Sequence, residues 1–510
     1  MTNFRPKAMI YFLLTVLLFC GFSAAAHAKQ MAVVAAVGPQ YESGAHSVIS
    51  VDPVEGSRTV QNELDPTGSD VTVAAYGDYF YRLERTGAHS ITKYHIDAPE
   101  TVVWQYSTQG DESGSNPYDL IFANSEKAYL LRYGSTKAWI VNPSAGTQAG
   151  FKLGELDLGA YADTDGTPGM VSGTMVGDRL FVLLQRVDYS QYPDTEYSTP
   201  YVAVFDTATN TEIDTGRGGA MKGIEIPEIT NTGFIQYLEA NDTLYVQGVG
   251  DYDASTDAAK GGIVSLDPDT YETRVILTDE NDGYGAVSGM GVVSETKGYF
   301  IGYAGWGDNT LYSFDPSCGC SIKAVPGLEN KGLSGMEKGI YSDKNGLVWI
   351  CNQTDARVDI LDPTDDTIVD SVSTSLNPLK VAFTGSASSP AVPDIKVNGS
   401  DRFLGLKSTD NLSVTLELAP GDYAGDPAEW WLLADTPFGW FHYQPGDNTW
   451  ARGFAPSLQS PLLNLGEFEV LNISKLPAGA YWLCFGVDMV MNGQLDMDQG
   501  YYDSAIVYIE

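Results

Sequence analysis

Near the C-terminus, oxygen-bearing side chains recur at the spacing of a calcium loop. Counting from Asp488, donors fall at positions 1, 5 and 9 (Asp488, Asn492, Asp496), with Gly493 at 6 and Leu495 at 8. Calcium takes about six to eight oxygen ligands, and such a loop presents them at alternate residues around a glycine turn. The match is partial. Position 3 is Val490, and position 12 is Gln499 where a bidentate glutamate belongs, so an ion here needs Asp498 or Asp503 as well. The same stretch also reads as an Asn-Gly hairpin joining two strands.

A second group of candidates mixes aromatic rings with carboxylates. The insertion at 188–197 carries Tyr189, Tyr192, Asp194 and Tyr197; a second at 251–257 carries Asp251, Tyr252 and Asp253; Trp306 and Asp308 stand in a third. Rings beside carboxylates suit sugar stacking, cation binding or a protein partner. Ordinary loop elaboration explains the same residues.

Acid–base chemistry has less to draw on. His46 and His89 occupy matching places in two related segments, Gly44-Ala45-His46-Ser47 and Gly87-Ala88-His89-Ser90. A histidine pair at one face would serve proton transfer or metal binding, and repeat similarity explains it equally. No G-x-S-x-G, H-E-x-x-H or phosphate-cradling loop occurs. Cys318-Gly319-Cys320 lacks the second pair of a zinc site. Either Cys318 and Cys320 bond to each other, or one of them bonds to Cys351.

These residues hang on a repeated unit. An apolar run ends at an Asp or Asn, and a Pro or Thr then turns the chain, at Asp52, Asp97, Asn142, Asp206, Asp267, Asp315 and Asp362; the steps are 45, 45, 64, 61, 48 and 47 residues. A period in the forties with several short strands per unit is that of propeller blades. The clearest unit, near 332–373, has short β-rich runs broken by Asp343-Lys344-Asn345-Gly346 and by the turn at 362–366. The corresponding second-strand positions Tyr81, Leu130, Phe181, Tyr245, Phe300 and Trp349 are all large, as the space between blades requires. Six units (71–107, 116–157, 168–215, 233–277, 285–326 and 332–373) leave a seventh to be built from residues 31–60 together with a late strand at 379–383, which closes the ring and removes its free edge.

On this beat, residues 31–384 resemble the seven-bladed propellers of the YVTN/quinoprotein amine dehydrogenase-like superfamily. The resemblance implies an all-β, seven-bladed β-propeller closed by N- and C-terminal strands of one blade. It implies no particular function, because such propellers host both enzymes and binding proteins, and no cofactor site transfers residue by residue. In a propeller the second-to-third-strand loops emerge on one side, so the three aromatic insertions are expected to share a face.

Residues 385–393 are a Ser/Ala/Pro linker by composition. Beyond them, 394–510 shows β runs at 413–418, 429–434, 468–473, 481–487 and 505–509, which read as a small β-sandwich. Asp422-Tyr423-Ala424-Gly425, Trp430-Trp431, Thr436-Pro437-Phe438-Gly439-Trp440 and Tyr501-Tyr502-Asp503-Ser504 resemble a C-terminal domain appended to many secreted bacterial proteins, for which no activity is implied. Trp430, Trp431, Trp440, Trp450 and Trp482 offer a carbohydrate platform or a core. Adjacent Trp430 and Trp431 point to opposite faces of a strand, which leaves one of them open to exposure.

Residues 1–28 combine Arg5 and Lys7, an apolar run over 9–22 and Ala26-His27-Ala28, the pattern of a cleaved secretory signal. The expected location is therefore the periplasm or exterior of a bacterium, with no integral membrane segment after cleavage. The charge is −37, from 29 basic and 66 acidic residues. Such a surface repels phosphate backbones and excludes nucleic acid as a partner. Solubility, bound calcium or a cationic ligand each account for it. With no catalytic constellation in view, the leading expectation is an exported, non-enzymatic protein that binds a protein or glycan partner through its loop face. The alternatives are a propeller hydrolase or lyase using calcium or the His46/His89 pair near the channel mouth, and a structural cell-surface component.

Overall fold

The computed structural model describes residues 30–53, 56–110, 114–190, 195–251, 260–279, 283–334, 339–385, 391–400, 404–423, 427–495 and 500–510. The chain divides into two compact units, Lys29–Ser386 and Ala387–Glu510. Both are almost wholly β. The described helices are one four-residue turn at Gln148–Phe151 and short 3-10 turns, and none is long and apolar enough to cross a membrane.

The first unit is a series of antiparallel sheets, most of which run through four strands in chain order. Val71–Tyr76, Tyr79–Glu84, Ser90–His95 and Ala98–Ser107 make one, and Pro117–Asn124, Lys127–Arg132, Lys137–Val141 and Lys152–Asp157 the next. The sheet begun by Met170–Val176 carries a fifth strand, Ile224–Glu225, beside Tyr201–Asp206. Sheets begun by Thr232–Leu238, Ala286–Ser294 and Tyr341–Ser342 follow. One sheet breaks chain order: Val60–Thr67, Gly44–Ser50 and Met31–Val37 are completed by Asn377–Phe383, which pairs antiparallel with Met31–Val37 from Ala32↔Phe383 to Val37↔Asn377.

Middle strands of these sheets are buried along nearly their whole length, whereas outer strands such as Thr367–Ser373 alternate towards solvent. A strand is hidden on both sides only when another sheet covers each face. The core clusters follow that rule. Tyr81, Leu83 and Ile91 pack with Leu130, Trp139 and Phe151 of the next sheet, and each later sheet meets its successor in the same way. The last, with Trp349, Val358 and Ile360, packs against Ala32, Val34 and Val381 of the closing sheet. The closing sheet meets the first through Val33, Leu379, Val73 and Phe80. A series of sheets that returns on itself is a β-propeller. Tyr81, Leu130, Phe181, Tyr245, Phe300 and Trp349 are all buried between sheets.

The repeated Asp/Asn is turn chemistry. Asp206 Oδ1 accepts the Thr209 N–H at 2.7 Å, Asp267 Oδ1 the Thr270 N–H at 2.8 Å, Asp315 Oδ1 the Ser317 N–H at 2.9 Å and Asp362 Oδ1 the Thr364 N–H at 2.9 Å. Asn142 serves Ser144 likewise. A side chain that satisfies N–H groups two or three residues on holds the chain in its reversal. Asp52 and Asp97 depart from the pattern: Asp52 bonds Lys344 and Asn345 of the neighbouring sheet, and Asp97 lies beside His95.

Asp343 shows what one such turn contributes. Its Oδ1 accepts the N–H groups of Asn345 and Leu347 at 2.8 and 3.0 Å, and its Oδ2 accepts the buried Trp349 Nε1–H at 2.9 Å. Asp343→Ala leaves an indole N–H without an acceptor between two sheets. We expect a loss of about 2 kcal/mol, read from urea denaturation followed by tryptophan fluorescence; an unchanged midpoint would reject it.

The second unit joins a three-stranded sheet (Val392–Val397, Asn411–Ala419, Leu465–Ser474) to a larger one ordered Leu404–Leu406, Gly500–Ile509, Gly479–Asp488, Pro427–Thr436, Gly439–Gln444, Thr449–Arg452. Ile395, Val414 and Leu416 of the first share a core with Trp430, Leu432, Phe485 and Val507 of the second. Strand Val392–Val397 begins inside the stretch whose composition reads as linker: Val392 and Pro393 already stand opposite Ala419 and Leu418. Trp430 and Trp431 do face opposite ways, but neither is exposed (8% and 1%). Phe454 and Trp440 cover the second face, with Phe454 5.5 Å from the Trp431 ring and 5.2 Å from that of Trp440.

Candidate functional site

Second-to-third-strand turns of three consecutive sheets border a cavity of about 350 Å³. The turn between Met31–Val37 and Gly44–Ser50 brings Tyr41; that between Lys297–Gly305 and Asp308–Asp315 brings Trp306; that between Val348–Asn352 and Arg357–Asp362 brings Gln353 and Thr354. Ser288 and Asn377, near the starts of innermost strands, line its inner side. Trp306 is 80% exposed. Its ring centre lies 6.2 Å from that of Tyr41, the planes at 54°, so the two rings form an open corner.

Among the described residues, no charged side chain lines this cavity, although the chain as a whole carries −37. The polar lining is amide and hydroxyl. Asn309 Nδ2 donates to Leu333 O at 2.9 Å, which turns Oδ1 the other way, and that buried oxygen has no hydrogen-bond partner. Gln353 Nε2 is likewise buried and unpartnered. Two of the lining residues thus each carry a buried polar atom without a partner, one an acceptor and one a donor. Buried polar groups are seldom left so unless a ligand or water completes them.

Of the described residues of the first aromatic insertion, Tyr189 and Tyr197 do not line this cavity. Tyr189 is 43% exposed beside a two-stranded ribbon, Val187–Asp188 with Glu196–Tyr197, and its hydroxyl donates to Asn231 Oδ1 at 3.4 Å. Tyr197 is half-buried in that ribbon and Asp308 is exposed next to Trp306. Asp251 precedes a stretch outside the described residues; Tyr252 and Asp253, and likewise Tyr192 and Asp194, lie outside them. Trp306 is joined by Tyr41, from the closing sheet. Tyr41, Asn309, Gln353 and Asn377 escaped sequence reasoning. The signal for Tyr41 was present, since Gly38-Pro39-Gln40-Tyr41 is the second-to-third-strand turn of the sheet that residues 31–60 were expected to build.

The histidine pair is not assembled, which corrects the expectation of a shared face. His46 lies inside strand Gly44–Ser50, fully buried, with rings of Phe80 and Tyr94 at 4.9 and 4.8 Å. Its Nε2–H donates to Pro99 O at 2.8 Å, and its Nδ1 accepts from Arg82 at 3.2 Å. Burial lowers its pKa to about 4, against the pull of the Pro99 carbonyl. His89 sits in a turn at φ +48°, where its Nδ1 accepts the Asn116 N–H at 3.1 Å. The two tetrapeptides are offset by the register of their strands: Gly44 opens a strand, whereas Ser90 does.

Arg82 organises the seam around His46. It donates to Glu84 Oε1 at 2.8 Å and to Asp65 Oδ2 at 3.0 Å, and Tyr94 also bonds Asp65. Every member is committed to another, so the cluster ties strand Val60–Thr67 to the next sheet and offers no spare proton donor.

Of the two cysteine pairings left open, Cys318 and Cys320 form the disulfide, in the turn behind Asp315. Cys351 is a buried thiol in Val348–Asn352. Of the calcium-loop residues, Asp488 ends strand Gly479–Asp488, fully buried, and Asn492 Oδ1 accepts the Gln494 N–H at 2.7 Å; Asp496 and Asp498 lie outside the described residues. The pairing of the last two strands ends at Asp488↔Gly500, so Asn492-Gly493 is not a two-residue turn closing that ladder.

No protein-family model matches the chain, and no curated protein does. Among solved structures it is similar to apo AztD from Citrobacter koseri, at 13% identity and a TM-score of 0.41 over 70% of this chain and 98% of that one. It is similar to virginiamycin B lyase from Staphylococcus aureus at 11% identity and a TM-score of 0.41, covering 59% and 83%. A structure of the Dos1 propeller matches at 11% identity and a TM-score of 0.39, covering 67% and 86%. What those proteins bind or cleave stays theirs.

Proposed function

We propose that this chain is an exported, non-enzymatic binding protein, a seven-bladed β-propeller whose loop-face cavity takes a glycan, followed in the sequence by a β-sandwich accessory domain. Seven sheets of four or more strands, linked by shared cores into a ring, support the blade count. Two sheets around one core support the sandwich. The observation that carries the ligand class is the cavity's lining: exposed Trp306 beside Tyr41, with the spare acceptor of Asn309 and the spare donor of Gln353, and no charge. A pyranose has apolar C–H faces that stack on such rings and hydroxyls that both give and accept hydrogen bonds. A cationic ligand would be served better by almost any other part of this acidic surface.

The test is a glycan array on the exported chain, followed by titration of the best binder. Trp306→Ala is expected to weaken binding at least tenfold, about 1.4 kcal/mol, with the melting temperature unchanged because the ring is mostly in solvent. Asn309→Ala should lose affinity as well, through its orphan oxygen. Binding that survives both substitutions intact would move the site elsewhere, and an array with no binder would favour a protein partner on the same face.

A further inference from the structure

Cys318 and Cys320 are joined across a single residue, Gly319, in the turn between strands Asp308–Asp315 and Cys320–Ala324. A disulfide stabilises a fold chiefly by restricting the unfolded chain, and the shortest loops gain least from it. The loop closed here is a tripeptide, so as a staple the bond contributes little. Nor does the turn need one. Asp315 Oδ1 accepts the Ser317 N–H at 2.9 Å and the Ser317 hydroxyl at 2.6 Å, and Asp315 O accepts the N–H groups of Cys318 and Gly319 at 3.3 and 2.8 Å. Asp315 pairs with Cys320 across the ladder, and Arg274 of the neighbouring sheet donates to Ser317 O at 3.2 Å.

The surroundings favour chemistry at the sulfurs. Both cysteines are exposed, whereas Cys351 and Cys484 are buried thiols. Gly319 stands at φ +64°, and a Cβ there would collide with Ile276 O, so the turn is pressed against the neighbouring strand while its cysteines stay in solvent. A carboxylate oxygen of Asp315 and the two sulfurs lie within 4.8 Å of one another, and the Ser321 hydroxyl lies 3.8 Å from Cys320 Sγ. An exposed disulfide is the reducible kind, open to attack by a thiolate.

We propose that the Cys318–Cys320 disulfide is a thiol–disulfide exchange site that oxidises a pair of cysteines in a peptide or polypeptide. A substrate thiolate attacks Cys318 Sγ. The S–S bond breaks, a mixed disulfide forms, and the electron pair leaves on Cys320 Sγ, beside the Ser321 hydroxyl, where it takes up a proton from water. The substrate's second thiolate then attacks the substrate sulfur of the mixed disulfide and releases Cys318, which is protonated in turn. Two electrons pass from the substrate dithiol to the protein, leaving a substrate disulfide and a protein dithiol. The Asp315 carboxylate opposes negative charge on the freed Cys320 sulfur and so keeps it as the unreactive thiol; this slows its return onto the mixed disulfide and lets the second substrate thiolate finish the exchange. A chain of net charge −37 repels small anionic thiols, which leaves a neutral or basic dithiol as the substrate class. One disulfide is passed per chain without turnover, so the exchange stands beside the binding role and does not depend on it.

The full chain is mixed with a reduced, basic synthetic peptide that carries two cysteines, and free thiols are followed by alkylation and mass spectrometry. One peptide disulfide is expected per chain, formed at least about tenfold faster than with oxidised glutathione at equal concentration, and Cys318 and Cys320 should become alkylated as the peptide closes. Offered the oxidised peptide, Cys320→Ser should hold it as a mixed disulfide on Cys318, and Cys318→Ser should hold far less. Serine at both positions should abolish exchange and leave the melting temperature unchanged, because the turn holds itself. The proposal is overturned if the peptide stays reduced while the disulfide persists, or if peptide oxidation survives the double replacement. It is equally overturned if that replacement lowers the melting temperature by several degrees, for the bond is then a structural staple.

Discussion

Acidification from pH 7 to pH 4 is expected to remove about 3 kcal/mol of stability through His46 alone. The folded-state pKa lies near 4 against 6.5 for the free side chain. Between those values the unfolded chain takes up a proton that the folded chain refuses, so stability is fully present above pH 6.5 and falls as the pH drops towards 4. Burial between Phe80 and Tyr94 opposes the imidazolium, as does the Arg82 guanidinium; the Pro99 carbonyl and the Asp65 carboxylate favour it and lose. Protonation would also turn the Nδ1 acceptor into a donor aimed at Arg82, breaking the bond on which the seam is built. Urea denaturation of wild type and His46→Gln at pH 7.5, 6.5, 5.5 and 4.5 isolates this residue from the many surface carboxylates, which both proteins share. The variant's profile should be flatter by about 2.5 kcal/mol over that window. Parallel profiles would show that the imidazole reaches solvent before it protonates.

How much of this was legible depends on whether the determining interaction is local. The Asp/Asn beat is readable because each of those side chains bonds N–H groups two or three residues further on; the turn and its residues are one object in the sequence. Burial of the second strands is readable for a similar reason, since a strand covered on both faces must be apolar throughout. Closure could be inferred because one unit lacked strands and both ends of the repeat had one to give. The cavity was not readable. Tyr41 and Trp306 are 265 residues apart and meet only because the ring closes. The histidine repeat misled for the same reason: identical tetrapeptides fall at different phases of their strands. In the second unit, Gly439–Gln444, Thr449–Arg452 and Leu458–Pro461 went unread because these short strands are mostly half-exposed and lack the buried-and-exposed alternation that marks a strand.

Closure also fixes where the propeller is most vulnerable. Val381→Asp is expected to destabilise the first unit by about 4 kcal/mol or more, enough to abolish its cooperative unfolding transition. Strand Asn377–Phe383 is the only piece of the closing sheet contributed from beyond the last repeat, and it holds the ring from both sides. Val381 packs with Ala32, Val34, Trp349 and Ile360 towards the preceding sheet, and Leu379 with Val33, Val73 and Phe80 towards the first. Both are nearly inaccessible, at 1% and 2%. An aspartate at 381 must either stay buried without a partner or drag the strand out of the sheet. Loss of the strand opens the edge of Met31–Val37 and strips one wall from each neighbouring core, so the damage spreads through two interfaces. Val369→Asp is the control: it places the same charge on an outer strand at a side chain already 50% exposed, and should change stability by no more than about 0.5 kcal/mol. Calorimetry of the two variants beside wild type decides the matter. A ring whose sheets were independently stable would tolerate Val381→Asp nearly as well as Val369→Asp, whereas a ring that exists only when closed will not.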